Sequence, residues 1–290
     1  MPRIKSLVQL AVSCGVFLLD EAATLLRRIA NARRPPRCVV LYYHSIPAGL
    51  RTEFARQMET LLRHAQPISA ATTSALSDGG RYVIVTFDDA FENVFENAVP
   101  ELTARRIPAA IFVVTGCIGR PASWMEAASG SHEPLRTMSV EQLLKLPDPI
   151  TIGSHTVTHP LLTKVSEQQL KRELFESRAT LEHTLGRKVN LFSFPHGAYQ
   201  ASLLETCREA GYDRVFTTMP VLGLSRADEF LTGRVLVDPS DWPLEFRLKL
   251  SGAYRWLPMA FALKRSIVSN PLARLAKRVR HGRLFAQISN

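Results

Sequence analysis

From Cys38 to Thr217 the chain alternates short strand-like runs with amphipathic helical ones, and this alternation constrains the fold more than any other feature. The strand-like runs are CVVLYYHSI, RYVIVTFDD, PAAIFVV, ITIGSH, VNLFSFP and RVFTT. Between them lie TEFARQMETLLRHA, AFENVFENAVPELTARR, SVEQLLKL, SEQQLKRELFESRATLEHTLG and QASLLETCREAG, each with apolar residues at helical spacing. Strands alternating with helices predict βα units around a parallel sheet. No long-period repeat, Gly-rich dinucleotide turn or phosphate loop interrupts the series. Polar residues gather at the C-terminal ends of several strands, where barrel active sites form, so a barrel is favoured over an open sheet. A chain of 290 residues with 46% hydrophobic composition can bury one large core of this kind.

The formal net charge of +10 is unevenly spread. Residues 1–37 carry seven Lys/Arg against two acids, residues 243–290 carry ten against one, and the stretch between holds 19 bases and 23 acids. The middle is therefore acidic, which argues against a nucleic-acid-binding core and for no nucleic-acid partner. Basic ends suit peripheral contact with an anionic membrane surface. The expected organisation is a basic amphipathic helix over 1–37, a catalytic barrel over 38–242 and a basic helical extension over 243–290. In that extension Trp256, Phe261, Leu272, Leu275 and Val279 alternate with Lys264, Arg265, Lys277 and Arg280.

At the N-terminus the apolar run Leu7–Leu19 is 13 residues, shorter than the roughly 20 needed to span a bilayer. A basic start and an apolar stretch fit an export signal, but Asp20 and Glu21 follow where a small-residue cleavage site belongs. The expectation is an interfacial helix on a cytoplasmic protein peripheral to the inner membrane, with export to the periplasm as the alternative. Cys14, Cys38, Cys117 and Cys207 form no CxxC pair and read as reduced, packed thiols.

Three strand ends carry candidate chemistry. The run VIVTF ends on two adjacent carboxylates, Asp88 and Asp89, although strand neighbours point to opposite faces. The strand ITIG is followed by His155 and His159, which a helical turn would place on one face to share a metal ion. Two His and one Asp make a ligand set of three that leaves positions open for water and substrate. The third end, FSFPHGAY, brings a Pro-His-Gly turn and its backbone N–H groups to the same rim.

TFDD at 86–89, SHTVTH at 154–159 and FPHGAY at 194–199 together resemble the polysaccharide deacetylases with a NodB-type domain, carbohydrate esterase family 4. YYHSI at 42–46 with Phe54, Gln57 and Met58 resembles the branch that handles exopolysaccharide or cell-envelope sugars. The resemblance covers about residues 38–242. It implies an α/β fold, a distorted (β/α)7-type barrel, flanked here by N- and C-terminal helical extensions. It also implies one divalent metal ion, zinc first and cobalt or another divalent ion otherwise, held by Asp89, His155 and His159. Asp88 would be the base that activates a metal-bound water against the N-acetyl group of an amino-sugar glycan. The rim of Pro195, His196, Gly197 and Tyr199 would meet substrate, with the His196 backbone N–H on the oxyanion.

Two positions depart from the family's pattern. Ser193 stands where the third motif carries an Arg that orients the base, and GRVLVDPSDW at 233–242 has no His where a Leu-x-His motif supplies the general acid. An imidazole suits that acid role at neutral pH, which points first to His196 and then to His44. Two other readings stay open: deacylation or deformylation of a lipid-linked sugar at the membrane, and a catalytically degenerate barrel that only binds glycan.

Overall fold

The computed structural model describes residues 2–126, 135–224, 226 and 228–269, with side-chain surroundings over residues 7–126, 135–224, 226 and 228–263. The strands are β1 (Arg37–Tyr43), β2 (Gln66–Pro67), β3 (Arg81–Phe87), β4 (Ala109–Val113), β5 (Ile150–Ser154), β6 (Leu191–Ser193), β7 (Arg214–Thr217), β8 (Leu231–Gly233) and β9 (Val235–Leu236). They form one parallel sheet in the order β8-β7-β6-β5-β4-β3-β1-β9, with the short β2 added against β3. A single residue, Arg234, separates β8 from β9. One extended segment thus pairs with β7 on one side and with β1 on the other, and the sheet becomes a nearly closed barrel with surrounding helices.

Side-chain alternation sorts each strand between two layers. On β1 and β3 the odd-numbered Val39, Leu41, Val83 and Val85 join the helix-facing core with Phe54, Met58, Leu61, Val94 and Leu102. The even-numbered Val40 and Ile84 point the other way, into a smaller cluster with Ala110, Phe112, Leu191 and Phe216 that fills the barrel interior. The same alternation, carried to the strand ends, aims Asp88 inward after Ile84 and Thr86. Under the rim, Tyr43 stacks on Phe87 at 5.4 Å and meets Phe54 edge-on at 5.4 Å. The Tyr43 hydroxyl donates to Gln57 Oε1, and Gln57 Nε2 donates to the Asp238 carbonyl, tying the first helix of the barrel to the loop after β9.

Several expected elements differ in detail. The helix expected over 90–106 is two pieces, Glu92–Asn97 and Val99–Ala104, because Pro100 cannot continue the first one. The long helix after β5 is split by a π-turn over Arg172–Glu176. Ser139 and Gln142 close a capping box at the helix Val140–Leu144.

The N-terminal helix runs unbroken from Pro2 to Ile29, well past the apolar run, because Asp20 and Glu21 are paired with Arg and do not end it. Its Leu7–Ile29 portion is long and apolar enough, by length and composition, to cross a membrane. At the other end the helices Pro243–Leu250 and Leu257–Ser269 are described, while Leu272, Leu275, Lys277, Val279 and Arg280 lie outside the described residues. All four cysteines are free thiols.

Phe54 is fully buried between Tyr43 and Phe87. Phe54→Ala should lower unfolding stability by about 3–5 kcal/mol, the usual cost of emptying a buried aromatic site; urea denaturation with an unchanged m-value would measure it.

Candidate active site

Alternation alone would send Asp89 away from Asp88. The backbone prevents this by turning left-handed at Asp89 (φ 70°) and Ala90 (φ 49°), a conformation that costs a non-glycine residue roughly 1–2 kcal/mol. Both carboxylates consequently reach the rim, each buried to within a few per cent. His155 and His159 reach it from β5, but by a different route from the helical turn the spacing suggests. Residues 155–161 form no helix, and Thr156 (φ 73°) and His159 (φ 59°) are left-handed.

That irregular loop is held by Glu173, which is buried on the π-turn. Its Oε2 accepts the Val157 and Thr158 backbone N–H groups at 2.7 and 2.9 Å, and its Oε1 accepts the Thr158 hydroxyl at 2.5 Å. The Thr156 hydroxyl oxygen accepts the His159 N–H at 3.0 Å. π-turns of this sort recur at functional sites.

The ligand atoms of Asp89, His155 and His159 lie within 4.8 Å of one another. Asp89 Oδ1 is 3.4 Å from His159 Nε2 and 3.7 Å from His155 Nε2. The His155 Nδ1–H donates to the Ser193 carbonyl at 2.7 Å, which assigns the tautomer and turns the Nε2 lone pair toward the cluster. Burial lowers the His155 pKa to about 4 and the His159 pKa to about 2, so both rings are neutral at pH 7, the form that ligates metals. Burial, and then the Asp88 charge, push the Asp89 carboxyl well above its ordinary range. Its Oδ1 is buried with no hydrogen-bond partner. An orphaned carboxylate oxygen facing two neutral imidazoles is a donor set that fits a divalent cation.

Asp88 is held differently. Burial would raise its pKa, but the Arg234 charge, followed by His155 and the Arg234 hydrogen bonds, outweighs burial and holds the carboxyl far below the usual range. Arg234 Nη1 and Nη2 grip Asp88 Oδ1 and Oδ2 at 2.7 and 2.8 Å. Ser193 Oγ donates to Asp88 Oδ1 at 3.1 Å and accepts from Arg234 Nη2 at 2.7 Å. The arginine absent from the third motif thus has a counterpart at the seam between β8 and β9, two strands along the sheet from β6. Motif comparison misses it because its strand differs, although a lone Arg inside the apolar run LTGRVLV was a usable signal.

The remaining rim residues divide. His44 directly follows β1, open to solvent, with its ring 5.6 Å from Tyr42. Crowding lowers its pKa by desolvation, opposed by the nearby Asp88 charge. His196 is exposed, left-handed (φ 58°) and edge-on to His159 at 4.8 Å. Gly197 (φ 67°) is required where it stands, since a Cβ there would collide with Thr218, and its N–H is already bonded to the Phe194 carbonyl. Pro195 is buried, and Tyr199 packs on Phe194 in the core beneath the rim, outside the carboxylate and histidine cluster. Trp124, from the loop after β4, stacks on His159 at 4.7 Å.

Comparison with known proteins agrees with this geometry. The polysaccharide deacetylase family model matches residues 76–215, which hold Asp88, Asp89, His155, His159 and the Pro-His-Gly turn. Residues 76–215 are a polysaccharide deacetylase domain. These enzymes are hydrolases of carbon–nitrogen bonds other than peptide bonds, and so is this chain.

YxkH of Bacillus subtilis, which carries a polysaccharide deacetylase designation, is 26% identical over 220 residues, covering 72% of this chain and 74% of its own. A poly-β-1,6-N-acetyl-D-glucosamine N-deacetylase of Staphylococcus aureus is 25% identical over 179 residues, and the matched region spans 58% of each protein. The solved structure of IcaB from Ammonifex degensii superposes with a TM-score of 0.63 at 27% identity, covering 75% of this chain and 98% of that one.

Two outcomes follow for this deacetylase. In Arg234→Met the largest influence opposing burial at Asp88 is lost, so the carboxyl protonates at higher pH and the acidic limb of the kcat/KM profile should move up in pH; Arg234→Lys should move it less. His155→Ala and His159→Ala should each lose most of their bound metal, and Glu173→Gln should weaken metal affinity by about 10–100-fold, read as metal content after dialysis against a chelator.

Proposed function

We propose that this protein removes N-acetyl groups from the amino sugars of an exopolysaccharide in a metal-dependent reaction. The observation that carries the reading is the pairing of an ionised, arginine-clamped Asp88 with an orphaned Asp89 oxygen that faces two neutral histidines. Asp89, His155 and His159 hold the divalent cation, with zinc the best match to one carboxylate and two imidazoles. When bound, that cation supplies Lewis-acid chemistry to water and to the amide carbonyl.

Each residue of the chain then has a separate task. Asp88, unprotonated and fixed by Arg234 and Ser193, accepts a proton from the attacking water. Water oxygen bonds to the acetyl carbon, the carbon–nitrogen bond breaks, and the sugar nitrogen takes up a proton and leaves as the amine, with acetate as the second product. His44 is the residue assigned to donate that proton, because it follows β1, the strand paired with β3 beside Asp88, and senses the Asp88 charge. His196 lies over His159 instead, so its place is on the cation side of the substrate. Trp124 stacks on His159 and limits that ring's freedom.

The substrate class follows from the staphylococcal relatives, whose name specifies poly-β-1,6-N-acetyl-D-glucosamine. A barrel that binds glycan without turnover was open only because an Arg and a His were absent from their usual motifs. Arg234 and His44, both near Asp88, support turnover by supplying an arginine and a histidine from other positions. The apolar N-terminal helix supports a setting at a membrane surface.

Acetate release from an N-acetylglucosamine oligomer with added zinc tests the reading. Asp88→Asn should cut kcat by at least about a thousandfold. His44→Ala should lower kcat and erase the alkaline limb of the pH profile, whereas His196→Ala should keep that limb. Equal release by the parent and Asp88→Asn would reject the assignment.

A further inference from the structure

The N-terminal helix is apolar on two faces: Leu10, Cys14, Val16 and Phe17 pack against the core, and a second apolar face is left outward. From Leu7 to Leu26 every exposed position is apolar or Gly, and Leu19 and Ile29 are 72% and 75% exposed. The polar residues face the barrel. Ser13 is fully buried and accepts from Trp256 Nε1 at 3.0 Å. Asp20 takes both Arg255 Nη atoms at 2.6 and 2.7 Å and also pairs with Arg37 at 3.0 Å, while Glu21 pairs with Arg81 at 2.6 Å. A helix on a soluble domain buries one apolar stripe and shows its charges, whereas this one turns its carboxylates toward the barrel and leaves a second apolar face outward.

What could cover this outward face is limited by its surroundings. Arg27 and Arg28 are exposed in the helix's last turn, and the first 37 residues carry a net charge of +5. Beyond the Arg255 and Trp256 clamp the helix Leu257–Ser269 begins, with Met259, Phe261 and Leu263 at least half exposed. Apolar side chains flanked by arginines match the boundary between lipid tails and anionic headgroups. Crossing the bilayer would strip Asp20 and Glu21 from their arginines and put both carboxylates in hydrocarbon. Lying in the plane leaves every ion pair intact.

The geometry points to the N-terminal helix as an in-plane anchor: its carboxylates dock it to the barrel, and its outward apolar face binds a bilayer that contains anionic lipid. This rests on the membrane setting proposed above and adds which face binds and which end of the barrel is held. Arg37 and Arg81 open β1 and β3, so the anchor lies at the end opposite the rim that carries His44 and Asp88. Strands of 7 residues put roughly 20 Å between the two ends.

The test is flotation of the full chain with vesicles of phosphatidylcholine alone and of phosphatidylcholine mixed with phosphatidylglycerol. The parent should bind the mixed vesicles, more weakly as salt is raised, and bind phosphatidylcholine at least about tenfold less tightly. Leu18→Glu with Leu25→Glu should weaken binding by about a hundredfold or more while thermal unfolding and acetate release stay unchanged, since both residues are exposed and remote from the rim. A protease added outside the vesicles should reach an N-terminal tag.

Three results would overturn the proposal: no binding of the parent to either vesicle, a tag protected inside the vesicles, or apolar-face-dependent self-association without vesicle binding. Because binding is read without substrate, none of these bears on the deacetylase assignment.

Discussion

The structure depends on one buried ion pair, Arg234 with Asp88. A charge pair taken out of water gives up several kcal/mol of solvation per ion, and it survives only where every remaining donor and acceptor is satisfied. Here they are. The five N–H groups of Arg234 make five bonds, to the two Asp88 oxygens, the Thr86 and Ser193 hydroxyls and the Thr217 carbonyl. The rings of Tyr42, Phe112 and Phe216 surround the guanidinium, with the nearest centroid at 4.7 Å. The same residue is the junction between the strand that pairs with β7 and the strand that pairs with β1. Closing the barrel and keeping Asp88 charged are therefore one interaction, contributed by one side chain. The pair's stabilising effect is full above the ordinary Asp pKa of about 3.9 and is lost as pH falls through the lower folded value.

That clamp also explains why two touching carboxylates behave differently. Asp88 is compensated by a full positive charge, whereas Asp89 has burial and its neighbour's negative charge against it and nothing bonded to Oδ1. Environments that push two like groups apart assign their roles. The one paired with arginine stays ionised, as the proposed proton acceptor must, and the one left uncompensated suits the proposed cation. The left-handed backbone at Asp89 and Ala90 is the local cost of this division, since a regular strand would have buried one carboxylate among the helices.

Much of this was legible in the sequence, for reasons that can be stated. Period-two patterning placed the strands, and Asp88 and His44 fall on the inward parity of β3 and β1, so their convergence needs no knowledge of the turns. Asp89, His155 and His159 were identifiable as a ligand set by residue type and spacing. The loop that joins the two histidines was not, because its shape comes from Glu173, whose helix reads as an ordinary amphipathic one. Arg234 was passed over because motif comparison follows position along the chain, while the clamp is defined by position around the barrel. That the N-terminal helix continues past Asp20 and Glu21 was legible, but the face it turns to the barrel was not, since Arg37, Arg81 and Arg255 meet those carboxylates only in the fold.

Placement of those three arginines bears on the choice between substrates. A deacylase or deformylase of a lipid-linked sugar must bring its rim to the headgroup layer, within a few ångströms of the bilayer. A helix tied to the residues that open β1 and β3 lies at the far end of the barrel, and an in-plane anchor there turns the rim toward the aqueous phase. A reactive group on a long, hydrated glycan can meet such a rim, and one fixed at the bilayer surface cannot. The ion pairs that dock the helix thus favour a polymer substrate independently of the motifs, by setting the distance between membrane and catalytic carboxylates.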